Sequence, residues 1–261
     1  MFFSKTEQFN FFPRLNLKKR VYMFAHSNME KTMEKTICLI AGRERFGTIQ
    51  DYVLYIARKL SKISDVCYFA DGKLSTRELN KIGIYTKYAA ACAHYTSDFG
   101  SWQCLVEHLG FDELTFYDKM IICNDSIYGP VSNIEDIFDY MDLNDYDFWG
   151  LTEKYNTTYH HDGYFMVFKN DVIVHPKFQQ FWKEINPMNT KKTYASVLSP
   201  FLTELGFFGT TYIKNYKKED ALNYPLHLFD FNRQPSSSRY VPQESLAYKT
   251  KENEISEKNL F

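Results

Sequence analysis

Short apolar runs, each closed by glycine or an acid and each followed by residues at helical spacing, constrain this chain more than any other feature. Ile37-Cys38-Leu39-Ile40-Ala41-Gly42 is the first such run, too short for a buried helix and apolar on both alternating faces, as a central strand must be. Thr48 then opens a helix, with Asp51 in the place of a capping-box glutamate. Ile49, Val53, Ile56 and Leu60 give that helix one apolar stripe. Val66–Ala70 is a second strand, ended by Asp71-Gly72, and Ser75 with Glu78 caps the helix after it. Ser101 is read as the cap of a helix running to Leu109, with Gly110 as its stop. Met120–Cys123 is a third strong strand, and Ser132 with Glu135 opens a helix through Phe138. Strand patterns recur at Asp147–Leu151 and Gly163–Phe168. Helices follow at Pro176–Ile185, with proline in the first turn, and at Tyr194–Leu205, interrupted by Pro200. Strands alternating with helices imply an α/β fold with a mostly parallel central sheet covered on both faces.

Within the 261 residues, this pattern divides the chain into an N-terminal extension (1–34, with one candidate strand at Val21–Ala25), an α/β domain (35–235) and a polar C-terminal tail (236–261). Against 31 basic side chains stand 32 acidic ones, a formal net charge of −1. There is no basic surplus to neutralise a phosphate backbone, which excludes nucleic acid as an expected partner. Lys18, Lys19 and Arg20 suffice for at most peripheral contact with an anionic membrane. No apolar run approaches membrane-spanning length. Five cysteines, an odd number without a CxxC pair, point to a reducing compartment and a cytoplasmic location. Aromatics make up 18% of the chain, which serves a packed core and equally suits a cleft that stacks on sugars or bases.

In an open parallel sheet, ligands bind beyond the carboxyl ends of the strands. Two strands deliver an acid there: Asp71 and Asp125. Asp125 lies in Asn124-Asp125-Ser126-Ile127-Tyr128-Gly129-Pro130, where three oxygen-bearing side chains precede a tight turn. Hard cations such as manganese or magnesium take clustered oxygens, one or two carboxylates plus substrate phosphates. In Ser97-Asp98-Phe99-Gly100-Ser101-Trp102, Asp98 stands at a helix start whose amides favour anions. Asp145, Asp147, Trp149 and the run His160-His161-Asp162-Gly163 form a third cluster. There Trp149 is a candidate sugar platform, and the histidines offer a late metal ligand or a phosphate contact. Each cluster also has a purely structural reading: turn formers, a core tryptophan, solvated histidines.

Taken together, these pieces resemble the rhamnan synthesis F family of bacterial polysaccharide glycosyltransferases. The resemblance rests on Ile49–Tyr55, Ser97–Trp102, Asn124–Pro130, Asp147–Thr152 and Gly163–Phe168 in that order, followed by Phe178, Phe181 and Trp182. Two places depart from the family pattern: Gly42-Arg43 after the first strand, and His94-Tyr95-Thr96 before the DFG run. The resemblance implies a GT-A-like nucleotide-sugar fold and transfer of a deoxyhexose, typically rhamnose, from a nucleotide-diphosphate donor to a glycan or lipid-linked saccharide acceptor. On that reading Asp71, Asp98, Asn124, Ser126 and Gly129 bind the donor, and Asp125 with His161 holds a divalent cation. Trp149 contacts the acceptor, and Asp147 or Asp162 serves as the general base that an inverting transfer needs. Trp102 is expected in the core. The rival reading is a sugar-nucleotide or polysaccharide-binding module without catalysis. A phosphatase is disfavoured, because Ala41-Gly42-Arg43 places no carboxylate nucleophile after the first strand.

Overall fold

The computed structural model describes residues 34–44, 46–130, 133–155, 159–161, 163–186, 194–213 and 229–230. The candidate strand at Val21–Ala25, Ser132, Asp162 and the C-terminal tail lie outside them. The chain runs β1 (Thr36–Arg43), α1 (Asp51–Leu60), β2 (Asp65–Asp71), α2 (Thr76–Gly83), β3 (Tyr88–Ala91), α3 (Asp98–Leu109) and a single turn, α4 (Phe111–Leu114). It continues through β4 (Lys119–Asn124), β5 (Ile127–Tyr128), α5 (Ile134–Asp142), β6 (Phe148–Tyr155), β7 (Tyr159–His161) and β8 (Phe165–Lys169). The described elements end with α6 (Asn170–Val174), α7 (Pro176–Glu184), α8 (Ala195–Glu204), β9 (Gly209–Ile213) and β10 (Phe229–Asp230).

The main sheet has the order β3-β2-β1-β4-β8-β6-β7, with β9 added to β6. Strands β3, β2, β1 and β4 are mutually parallel, and β9 is parallel to β6. Strand β8 runs antiparallel between β4 and β6, so β6 again points the same way as β4. The mostly parallel α/β architecture read from the strand–helix alternation is therefore what forms. Strands β5 and β10 make a separate antiparallel ribbon.

The two faces sort by residue parity, because successive side chains of a strand point opposite ways. Cys38 and Ile40 of β1, Tyr68 of β2 and Ile121 of β4 pack with α1 and α5 through Val53, Ile56, Ile137 and Phe138. Ile37, Leu39, Phe69 and Ile122 face the other way, against α3, α7 and α8 through Trp102, Phe178, Trp182 and Leu202. The central strand β1 is consequently buried along all but its last residue.

Several local expectations change. Helix α1 begins at Asp51 rather than Thr48, and its N-cap Gln50 makes no side-chain cap bond. Ser75 does accept from the Glu78 amide at 3.3 Å, but the Glu78 carboxylate turns to the Ile49 amide at 2.9 Å and ties α2 to the start of α1. Ser101 is no cap: α3 starts three residues earlier, and Ser101 is buried inside it. Gly110 ends α3 with φ 74°, as a glycine stop should. Helix α5 extends beyond Phe138 to Asp142. Pro200 lies inside an unbroken α8, where the fully buried Leu198 and Leu202 hold the helix to the sheet on either side of it. Among the described residues no helix is long and apolar enough to cross a membrane.

Candidate active site at the carboxyl edge of the sheet

Parallel register brings the functional groups level. Arg43, the last residue of β1, is paired with Asp71, the last of β2, and Ala41 is paired with Asn124, the last of β4. The Asp125 amide continues the ladder one step by donating to Ala41 O at 2.9 Å. Its carboxylate then folds across the top of β1 and accepts from the Arg43 amide at 2.9 Å through Oδ2. Asp125 is thus largely buried at the carboxyl end of the sheet, oriented by the strand it caps.

Asp71 is fixed from the other side. Its Oδ1 accepts from the His94 and Tyr95 amides at 2.9 and 3.0 Å, which fastens the segment after β3 over the end of β2. Tyr95 takes a positive φ of 55° there, uncommon for a bulky side chain. The His94 ring lies between Ser101 and Thr96, with Nε2 2.9 Å from Ser101 Oγ. A Cβ on Gly100 would run into the Thr96 hydroxyl, so the glycine of the DFG run lets this segment close on the first turn of α3. Burial pushes the imidazole pKa down against the pull of Asp71 and Asp98, which favours the neutral ring.

Asp98, in the first turn of α3, receives a hydrogen bond from Asn124 Nδ2 at 2.8 Å on its Oδ2. Asn124 in turn accepts from Ser126 Oγ at 2.8 Å, so Asp98, Asn124 and Ser126 form one chain. Burial raises the Asp98 carboxyl pKa, while Asn124, Arg43 and His94 pull it down and Asp71 adds to the rise. Asp71, Asp98, Asn124, Asp125 and Ser126 therefore cluster at the strand ends around Arg43, which pairs with Asp71, donates its amide to Asp125 and acts electrostatically on Asp98. Gly129, expected in donor binding, lies in the turn that follows; its cis bond to Pro130 and the Tyr55 hydroxyl on Pro130 O, at 2.9 Å, shape that turn.

Three expected residues do not join this cluster. Asp147 lies at the start of β6, level with Lys169 and so with Lys119 at the opposite, amino-terminal edge of the sheet. Its carboxylate accepts from the Phe208 amide at 2.7 Å, a structural bond that starts β9. Trp149 is no platform: it is 2% exposed, with its ring between Phe138 and Phe165 in the core under α5. Parity decides this, since Trp149 follows Phe148 on β6 and must take the other covered face. His161, also 2% exposed, packs against Phe148, and its amide donates to Ser199 of α8. Among the described residues no three His, Cys, Asp or Glu side chains gather as a metal site. The sequence reading missed Glu44 and His94. Glu44 is buried directly after β1, with its amide on Asp71 O at 2.9 Å and its Oε1 accepting from Phe46 N. The signal for both was there in the two departures, at Gly42-Arg43 and at His94-Tyr95-Thr96, which lie beside Asp71 and Asp125 at the strand ends.

The fold and site define an α/β protein with a cluster of acidic and polar side chains at the carboxyl edge of a mostly parallel sheet. The chain matches the family model Rhamnan synthesis protein F over residues 66–231 and belongs to that family. It is 23% identical over 203 residues to the uncharacterized protein y4gN of Sinorhizobium fredii (strain NBRC 101917 / NGR234), covering 75% of this chain and 52% of that protein. The chain thus spans about half the length of that relative. Among solved structures it is similar to a protein of Desulfovibrio desulfuricans G20 described as a nucleotide-diphospho-sugar transferase. The TM-score is 0.42 and the identity 14%, over 70% of this chain and 80% of that one. It is also similar to the apo-form glycosyltransferase GlyE of Streptococcus pneumoniae TIGR4, with TM-score 0.43 and 13% identity over 67% of this chain and 44% of that one. A cytidylyltransferase from Leptospira borgpetersenii gives TM-score 0.40 and 12% identity over 70% and 77%. At these scores the structural likenesses carry no argument about reaction or substrate.

Proposed function

We propose that this chain is a glycosyltransferase that moves a sugar from a nucleotide-diphosphate donor onto a cell-surface polysaccharide or other glycan, lipid-linked saccharides included. Rhamnose or another deoxyhexose is the sugar that membership of a rhamnan synthesis family suggests. The observation that carries the reading is the meeting of the Asp71, Asp98 and Asp125 carboxylates with Arg43 at the carboxyl edge of the sheet. Ligands of open α/β sheets bind there. All five cysteines are free thiols, which suits a reducing cytoplasmic compartment.

A divalent cation, manganese or magnesium, fits this donor set. The oxygens are hard ligands, and the Asp98 carboxyl, pushed up by burial beside Asp71, is one whose ionised form a cation would favour. Asp125 and Asp98 are the residues to hold it, with diphosphate oxygens completing the shell. The ion would supply Lewis-acid stabilisation of the departing diphosphate. The chain's own groups bind and orient: Arg43 offsets donor charge, and Asn124 and Ser126 fix the turn beneath the diphosphate. With Asp147 at the far edge, Asp162, outside the described residues, is our candidate for the base that deprotonates the acceptor hydroxyl.

The test pairs the parent with Asp125→Asn. Thermal shift against a panel of nucleotide sugars, with and without manganese, should reveal one donor that raises the parent's melting temperature more with the metal present. Asp125→Asn should fold normally, since an amide oxygen can still accept from the Arg43 amide, yet lose the metal dependence and orders of magnitude of turnover. Binding without turnover in the parent would identify a non-catalytic sugar-nucleotide module. Near-normal turnover in Asp125→Asn would overturn the site.

A further inference from the structure

Tyr68 rises from the middle of β2 on the face covered by α1, and is fully buried at 0% exposure. Its hydroxyl has no hydrogen-bond partner among the described residues. A phenylalanine would fill the same space without a buried donor left unmet, which costs free energy for nothing unless the hydroxyl has work in another state. The position of that hydroxyl says what the work is. It lies against Gly42, close enough that a Cβ there would collide with it. The residues on either side of Gly42 both hold Asp125: Ala41 O accepts from the Asp125 amide, and the Arg43 amide donates to the Asp125 carboxylate. The phenol thus reaches the stretch of β1 whose backbone holds Asp125, near enough for that carboxylate to act on it electrostatically. Burial, then the Asp125 and Glu44 carboxylates and Tyr52, raise its pKa well above the ordinary tyrosine value, so it stays protonated and available as a donor.

We propose that Tyr68 is a positioning residue for the donor site: when a nucleoside diphosphate occupies that site, the Tyr68 hydroxyl joins the Arg43 amide as a hydrogen-bond donor to the Asp125 carboxylate. The proposal rests on the reading of the strand-end cluster as a diphosphate site. It explains why β1 ends in Gly42-Arg43: only glycine leaves room for the Tyr68 hydroxyl at that height. It also separates stability from function, because the hydroxyl meets no partner within the described fold and its bond would form only with the diphosphate bound.

The experiment uses the full chain as parent, Tyr68→Phe, Asp125→Asn and the double variant. Each is melted alone and titrated with UDP, dTDP and GDP in the presence and absence of manganese. Tyr68→Phe should melt at or above the parent temperature, yet bind its nucleoside diphosphate about tenfold more weakly with manganese present. In the Asp125→Asn background the same change should cause a clearly smaller loss, since the hydroxyl then meets a neutral amide oxygen in place of a charged acceptor. Unchanged affinity in Tyr68→Phe would overturn the proposal, and so would an equal loss in both backgrounds, which would place the hydroxyl's effect elsewhere. A parent that binds none of the three diphosphates would remove the donor-site reading and this proposal with it. A parent that binds while Tyr68→Phe matches it would remove this proposal alone.

Discussion

Trp102 connects the core to the site, and its replacement tests the packing most directly. The indole is 1% exposed, and its Nε1 donates to Leu39 O at 3.1 Å on β1 and to Cys123 O at 3.0 Å on β4. One side chain of α3 therefore bridges the two strands whose ends carry Arg43 and Asp125, while the first turn of the same helix carries Asp98. Trp102→Ala removes a fully buried ring and should cost about 3–5 kcal/mol. At about 2–4 °C per kcal/mol for a domain of this size, the melting temperature should fall by roughly 6–20 °C. Trp102→Phe retains most of the volume and loses only the bridging donor, so about 1–3 kcal/mol is expected. Urea and thermal melts followed by circular dichroism give both values. Because Asp98 rides on α3, surviving Trp102→Phe protein should also bind its diphosphate less well. A loss below about 1 kcal/mol for Trp102→Ala would show that the helix is not held to the sheet by this bridge. Trp149→Ala should cost a similar amount, about 3–5 kcal/mol, since the structure makes it a core residue too; a change in acceptor use at intact stability would contradict that placement.

The remaining predictions concern Asp98 and Gly42. Burial raises the Asp98 pKa above its ordinary 3.8 in the folded chain, so the folded state keeps a proton that the unfolded state has lost. The stability this contributes is complete below the unfolded pKa and declines as pH rises through the folded one. Asp98→Asn should accordingly gain on the parent in melts as pH rises from 4 towards neutral; a difference independent of pH would refute the assignment. Gly42→Ala drives a Cβ into the Tyr68 hydroxyl and should cost about 1–3 kcal/mol by denaturant melts. Adding Tyr68→Phe should recover part of that loss, and a fully additive double variant would mean that the clash lies elsewhere.

Strand and helix identities were legible in the chain because periodicity reports burial directly. Ile37–Gly42, Val66–Ala70 and Met120–Cys123 each alternate faces in a sheet covered on both sides, and β1, β2 and β4 formed around them. The parallel order also followed, since a strand joined to the next by a helix pairs with it in one direction. From that order alone Asp71 and Asp125 had to reach the same edge, and register places them on either side of Arg43. Helix starts were less legible. Ser101 resembles a cap in sequence, yet tertiary packing sets its hydroxyl against His94, and α3 begins at Asp98.

What only the tertiary structure decided was which polar residues meet. Asp147, Trp149 and His161 stand beside glycines and aromatics as site residues often do, but nothing local says at which end or on which face a strand presents them. Strand β8 is inserted antiparallel between β4 and β6, a choice of sheet order made by long-range pairing. It leaves Asp147 at the amino edge, level with Lys119 and Lys169. Residue parity on β6 then turns Trp149 inward, and α8 closes over His161. Conversely, Glu44, His94 and the Tyr68 hydroxyl carry no motif of their own. They join the candidate site only because β1, β2 and β4 end at one height, where a buried carboxylate must find its donors among whatever groups the neighbouring strands bring there.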